Sequence, residues 1–252
     1  MPKYDERLLL DFGNTFLGYG RLDSALWLIG PEAGGGQTIN EVHHRASVWS
    51  KRGRKETEDL QGYHADLGLD WTRKIQSCWG SLIRVILEFD EKRAEREDVR
   101  EFQKRELGRA DADGQNSVLD LSQLSSPSTS NWELHEFGFS WLATREEYEG
   151  HLLRSRCDLL RARLARYKPR LVLFYGLSHQ RWWEQISANQ FTPSKLPRLS
   201  WVRGENSLFA MIPHPNGVRF SGKGARNAFF AGVGAALRKE LQNQGLKLPS
   251  FN

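Results

Sequence analysis

Four short, mostly apolar runs set the tightest limit on how this chain can fold: residues 25–29 (ALWLI), 117–121 (SVLDL), 171–175 (LVLFY) and 208–212 (LFAMI). Each has the length of a strand, and longer stretches with apolar residues at helical spacing separate them. A strand buried on both faces reads as a continuous apolar run, which is the mark of a parallel strand covered by helices above and below. The alternation predicts an α/β fold, a three-layer α/β/α sandwich around a central four-stranded, mostly parallel sheet. In such sheets, ligand sites form where loops leave the carboxyl ends of the strands.

Helical spacing predicts helices over 6–17, 71–89, 145–167, after Gly176, and over 225–243, with Lys168-Pro169 stopping the third. The polar stretch 37–70 reads as an inserted set of loops with short helical pieces, and the charged stretch 90–112 as a solvated helical extension. With 252 residues, 39% of them hydrophobic and 9 Trp and 13 Phe among them, the chain can fill one large core, so a single domain over 1–252 is expected and disorder is excluded for most of it. The two cysteines, Cys78 and Cys157, cannot supply a four-thiolate iron–sulfur cluster or a cysteine-rich zinc site, so no metal or other cofactor is expected. The start of the chain is charged and lacks an apolar signal core, and no run approaches membrane-spanning length. A soluble, cytoplasmic, monomeric protein without a membrane partner follows as the expectation. The net charge of +5 favours a polyanionic partner only if the surplus is clustered.

Two loops carry the chemistry. The first run leads into GPEAGGG (30–36) and the last into PHPNGVRFSGKG (213–224). In this order the loops resemble those of the uracil-DNA glycosylase superfamily: WLIGPEAGGG is similar to its GQDPYH or GEAPG loop, and MIPHPNGVRF to its HPSP loop. Cys157, Leu164, Pro169 and LVLFYG are similar to a stretch that lies between those loops in GEAPG-type members. The chain departs from that pattern in the additional Pro31, in Gly34-Gly35-Gly36 where strict uracil enzymes carry Pro-Tyr-His, and in the missing cluster cysteines.

The resemblance implies a monofunctional DNA glycosylase that flips one pyrimidine-type base out of double- or single-stranded DNA and hydrolyses its bond to deoxyribose. Cleavage develops positive charge on the sugar and negative charge on the departing base. Glu32 would stabilise the sugar cation or activate water, and His214, held between two prolines, would donate a hydrogen bond to the leaving base. Gly34, Gly35, Trp71, Asp120 and Ser122 are the candidate base-binding residues. Arg52, Asn216, Val218, Arg219, Phe220, Lys223 and Arg226 are the candidate DNA-binding residues, with Val218, Arg219 and Phe220 as the wedge that fills the vacated stack. Glycines in place of a bulky ring leave room at the pyrimidine 5-position, and an ionised Asp120 accepts from a 4-amino group. Uracil and a 5-modified cytosine, including a hypermodified base of phage DNA, stand as alternative substrates, and repair and anti-phage defence as alternative settings. Two other classes compete: a catalytically inactive DNA-binding module, and a nucleotide or sugar-phosphate enzyme using GPEAGGG as an anion cradle.

Overall fold

The structure is a computed structural model that describes residues 4–34, 38–70, 72–111, 114–126, 131–217 and 219–245. Its strands are β1 (Gly18–Gly20), β2 (Leu26–Glu32), β3 (Thr57–Glu58), β4 (Asn116–Ser122), β5 (Leu171–Tyr175), β6 (Thr192–Pro193), β7 (Ser200–Arg203) and β8 (Leu208–Ile212). Its helices are α1 (Glu6–Thr15), α2 (Ile39–Lys51), α3 (Leu60–Asp66), α4 (Ser77–Phe89), α5 (Arg96–Arg105), α6 (Arg145–Tyr148), α7 (Arg154–Tyr167), α8 (Gln180–Ser187) and α9 (Lys223–Asn243).

The four apolar runs are β2, β4, β5 and β8. They lie side by side and parallel, with Leu28 beside Val118 and Leu173, and Leu173 beside Ala210. The expected four-stranded sheet is too small, however. Among the described residues the sheet has eight strands, ordered β3-β1-β4-β2-β5-β8-β7-β6, and it is mixed: β1 runs antiparallel to β4, and β7 to β8. The four added strands have two to four residues each, too short for alternation to register in the sequence.

Alternation along the central strands divides the interior in two. Trp27, Ile29, Leu119, Leu121 and Phe174 pack with residues of α1, α2, α7 and α8, whereas Leu26, Leu28, Val118, Leu173 and Ala210 pack with residues of α4, α5 and α9. Helices therefore cover both faces of an α/β sheet. The helix boundaries follow local chemistry. Asp5 caps α1 by accepting from the Leu8 N–H, and Thr38 caps α2 by accepting from the Glu41 N–H. Lys168, in the left-handed region at φ 51°, ends α7 just before Pro169.

Three expectations need correction. The helix predicted from residue 71 begins at Ser77, because Gln76 is extended and its N–H is bonded to the Gln103 side chain. The stretch 37–70 holds the thirteen-residue helix α2 rather than mostly loops. The charged stretch after α4 is not merely solvated: α5 buries Val99 and Phe102 against the α4 and α9 side of the core. The helix predicted over 145–167 is present as α6 and α7 joined by a wider helical turn at Glu149–Leu153. No helix among the described residues is long and apolar enough to cross a membrane.

Candidate active site

The parallel strands β2, β4, β5 and β8 end at one edge of the sheet, and a cavity of about 450 Å³ opens there on the α4 side. Gly30 makes the room for it. A β-carbon at Gly30 would lie 2.2 Å from the Tyr175 hydroxyl oxygen, so only glycine lets the tyrosine ring lie across β2. The Tyr175 hydroxyl then donates to Asp120 Oδ1 at 3.4 Å, which joins the ends of β5 and β4 in the cavity floor.

Asp120 is 5% exposed and lines the cavity. Burial pushes its carboxyl up to about 7, although the Arg156 charge and the Tyr175 hydrogen bond pull the other way. Arg156, also buried, donates to the backbone carbonyls of Leu121, Asp120 and Phe16 and so fixes the end of β4 from behind.

Glu32 ends β2 at the cavity wall. Its Oε1 accepts the Ser126 N–H, and its Oε2 lies 3.2 Å from Arg145 Nη1. Burial holds the carboxyl above the ordinary glutamate range, opposed by the Ser126 N–H and Arg145. Arg145 is itself seated 4.7 Å from the centre of the Trp132 ring.

His214 follows β8 on the other side of Glu32 and faces the Tyr175 ring, with centroids 5.6 Å apart. Its Nδ1 accepts the Asn216 N–H at 3.2 Å, which leaves the proton of the neutral ring on Nε2. Burial, then the nearby His179 and Arg226 charges, depress the His214 pKa and favour that neutral form. Nε2 lies 4.0 Å from the Cys78 Sγ, and burial pushes that thiol up to about 12, so it stays protonated. The cleft thus sets a carboxylate and a neutral imidazole donor at one mouth, with a second carboxyl on the floor.

The structure brings Glu32, Gly34, Asp120, His214 and Asn216 into this one cavity. Gly35, Trp71 and Val218 lie outside the described residues, as does the Lys223 side chain. Four other expectations are corrected. Ser122 is turned from the cavity, where its hydroxyl pairs with the Tyr148 hydroxyl and donates to the Leu124 carbonyl. Arg52 is occupied by Glu58 and Asp66 at the C-terminal end of α2. Phe220 packs on Phe229 and Phe230, so it is an anchor of the loop rather than a free wedge. Arg226 binds Ser81, Ser77 and Asn216, which ties α9 to the start of α4 and to the histidine loop instead of presenting a cation to phosphate. Arg219 is exposed.

Sequence reasoning missed Arg145, Tyr175, Arg45, Tyr19, His64 and Trp79, all at or beside the cavity. Tyr175 had a signal, since it ends a strand immediately before a glycine, the position from which side chains reach a site. Among the described residues no three His, Cys, Asp or Glu side chains cluster as a metal site. Comparison with protein-family models and with curated proteins finds no match to either. The functional argument therefore stands on the geometry of the cleft.

Proposed function

We propose that this protein is a DNA N-glycosylase of the uracil-DNA glycosylase type, hydrolysing the bond between deoxyribose and a pyrimidine flipped into the cleft. The observation that carries the proposal is the pairing of Glu32 and a neutral, Nε2-protonated His214 across a cavity whose floor is Asp120. As the bond from C1′ to the base nitrogen breaks, its electron pair leaves with the base. The Nε2–H of His214 donates to the base oxygen on which that charge gathers, and the Glu32 carboxylate faces the sugar cation. Water then adds at C1′, its proton passing to Glu32, and an abasic site remains. Arg145 and the Ser126 N–H hold Glu32 in place and favour its ionised form.

Asp120 supports a cytosine-type base. When ionised it accepts from a 4-amino group, which a uracil carbonyl lacks. The glycine loop and the width of the cavity support tolerance at the 5-position. In this reading DNA is the partner, the protein acts as a monomer in the cytoplasm, and the eight-stranded sheet is an enlarged version of the glycosylase sandwich.

The test incubates purified protein with single- and double-stranded oligonucleotides carrying uracil, mismatched thymine or 5-substituted cytosines, followed by alkaline cleavage of abasic sites. Strand breaks at the modified position are expected. Binding without breaks would support an inactive DNA-binding module, and absence of both would overturn the reading.

A further inference from the structure

The order of side chains across the sheet indicates where the 5-position of a bound pyrimidine points. From β8 through β5, β2 and β4 to β1, the strand ends present His214, Tyr175, Glu32, Asp120 and Tyr19 in turn. Around a pyrimidine the corresponding groups are the 2-oxygen, the ring nitrogen, the 4-substituent and then carbon 5. With His214 on the 2-oxygen and Asp120 on the 4-substituent, carbon 5 faces onward to the β1 side of the cavity.

That side is neither closed nor apolar. Tyr19, Arg45, His64 and Trp79 line it, with Asp70 at its rim. Arg45 projects from α2, and its Nη1 donates to the Gly34 carbonyl at 2.6 Å, while among the described residues it forms no ion pair. Burial lowers the His64 pKa to about 4, so the ring is neutral; its Nδ1–H donates to the Leu60 carbonyl at 2.9 Å, which makes Nε2 the acceptor nitrogen. The indole of Trp79 meets His64 edge to face at 5.8 Å. Burial raises the Tyr19 pKa, so its hydroxyl keeps its proton and remains a donor. Fixed donors, neutral acceptors and an aromatic wall are the groups that bind a polyhydroxylated ring, and a cavity of about 450 Å³ holds more than a bare pyrimidine.

We infer that this annex receives a hydroxylated, sugar-like substituent carried on carbon 5 of the target pyrimidine, so that the preferred substrate is a glycosylated base. The inference rests on the glycosylase reading and goes further than it, by naming the substituent. Tyr19 and Arg45 donate to its hydroxyls, His64 and Asp70 accept from them, and Trp79 covers its apolar face. A carboxylated substituent is the competing chemistry, because Arg45 alone would suffice to hold it.

The test measures kcat/KM for base release from duplexes in which one cytosine carries hydrogen, methyl, hydroxymethyl, carboxyl or glucosyloxymethyl at carbon 5, with a uracil duplex alongside. The glucosylated base is expected to be released at least about tenfold more efficiently than any other. Tyr19→Phe and Trp79→Leu are each expected to narrow that preference by about tenfold, the loss from one unmade hydrogen bond or stacking contact in a closed site. Equal or better release of uracil or unsubstituted cytosine, or an undiminished preference in both variants, would overturn the annex while leaving the glycosylase reading intact. Preference for the carboxylated base would overturn it in favour of an anion site. No release from any duplex would overturn the glycosylase reading, and the inference with it.

Discussion

Replacing Asp120 by asparagine tests the electrostatics of the cavity floor without a substrate. Asp120 moves from an ordinary value of 3.8 to about 7 on folding, chiefly through burial. At 1.36 kcal/mol for each pH unit between the two values, ionising it in the fold costs on the order of 4 kcal/mol. The folded pKa is the raised one, so the folded chain holds the proton more tightly. Stability from this group is full below about pH 4 and is lost as pH rises through 7. An asparagine side chain in its place has no proton to lose, and its amide still accepts from the Tyr175 hydroxyl. The stability of Asp120→Asn relative to wild type should therefore climb between pH 4 and pH 7 by up to about 4 kcal/mol and level off above that. Urea denaturation followed by tryptophan fluorescence at half-unit pH intervals measures the difference directly. A difference that stays flat with pH would show that Asp120 titrates as an ordinary surface carboxyl, and the account of the floor would fail.

Other substitutions probe the remaining joints of the site. Gly30→Ala drives a methyl into the Tyr175 hydroxyl and should destabilise the fold by about 1–3 kcal/mol in the same denaturation assay. Arg156→Met leaves the carbonyls of Leu121, Asp120 and Phe16 without their buried donor and should cost roughly 3 kcal/mol or more. Gly34→Tyr is sterically allowed, since a β-carbon there meets nothing within 4 Å among the described residues. The ring should reduce release of 5-substituted pyrimidines more than release of unsubstituted ones, as read from the ratio of kcat/KM values.

The fold was legible in the sequence where burial leaves a pattern. β2, β4, β5 and β8 are covered on both faces, and that requirement writes itself as continuous apolar runs. Edge strands such as β3 and β6 have two residues each and are set by pairing with their neighbours, which no local pattern records. Helix α2 did leave a trace, in Thr38 followed by Ile39, Val42, Ala46 and Trp49 at helical spacing, but its two histidines and Arg45 obscured it. In the site, Glu32, Asp120 and His214 were readable because they terminate strand runs. Arg145 and Arg45 reach the cleft from helices that sequence places far away, so only the folded chain shows them beside Glu32 and Gly34. Arg226 and Phe220 misled for the opposite reason: a basic and an aromatic residue beside a motif resemble DNA contacts, yet both are spent on packing α9 against its neighbours.

The central claim is that Glu32 and the Nε2–H of His214 act together in breaking a glycosidic bond. Single-turnover release of the base, measured beside the dissociation constant for the same DNA, tests it most directly in wild type, Glu32→Gln and His214→Ala. The account predicts that each substitution slows release by at least about 10²-fold, the loss expected for one group that stabilises transition-state charge, while DNA affinity stays within a few fold. Release at the wild-type rate in either variant, or a loss of DNA affinity large enough to account for the slower release, would contradict it.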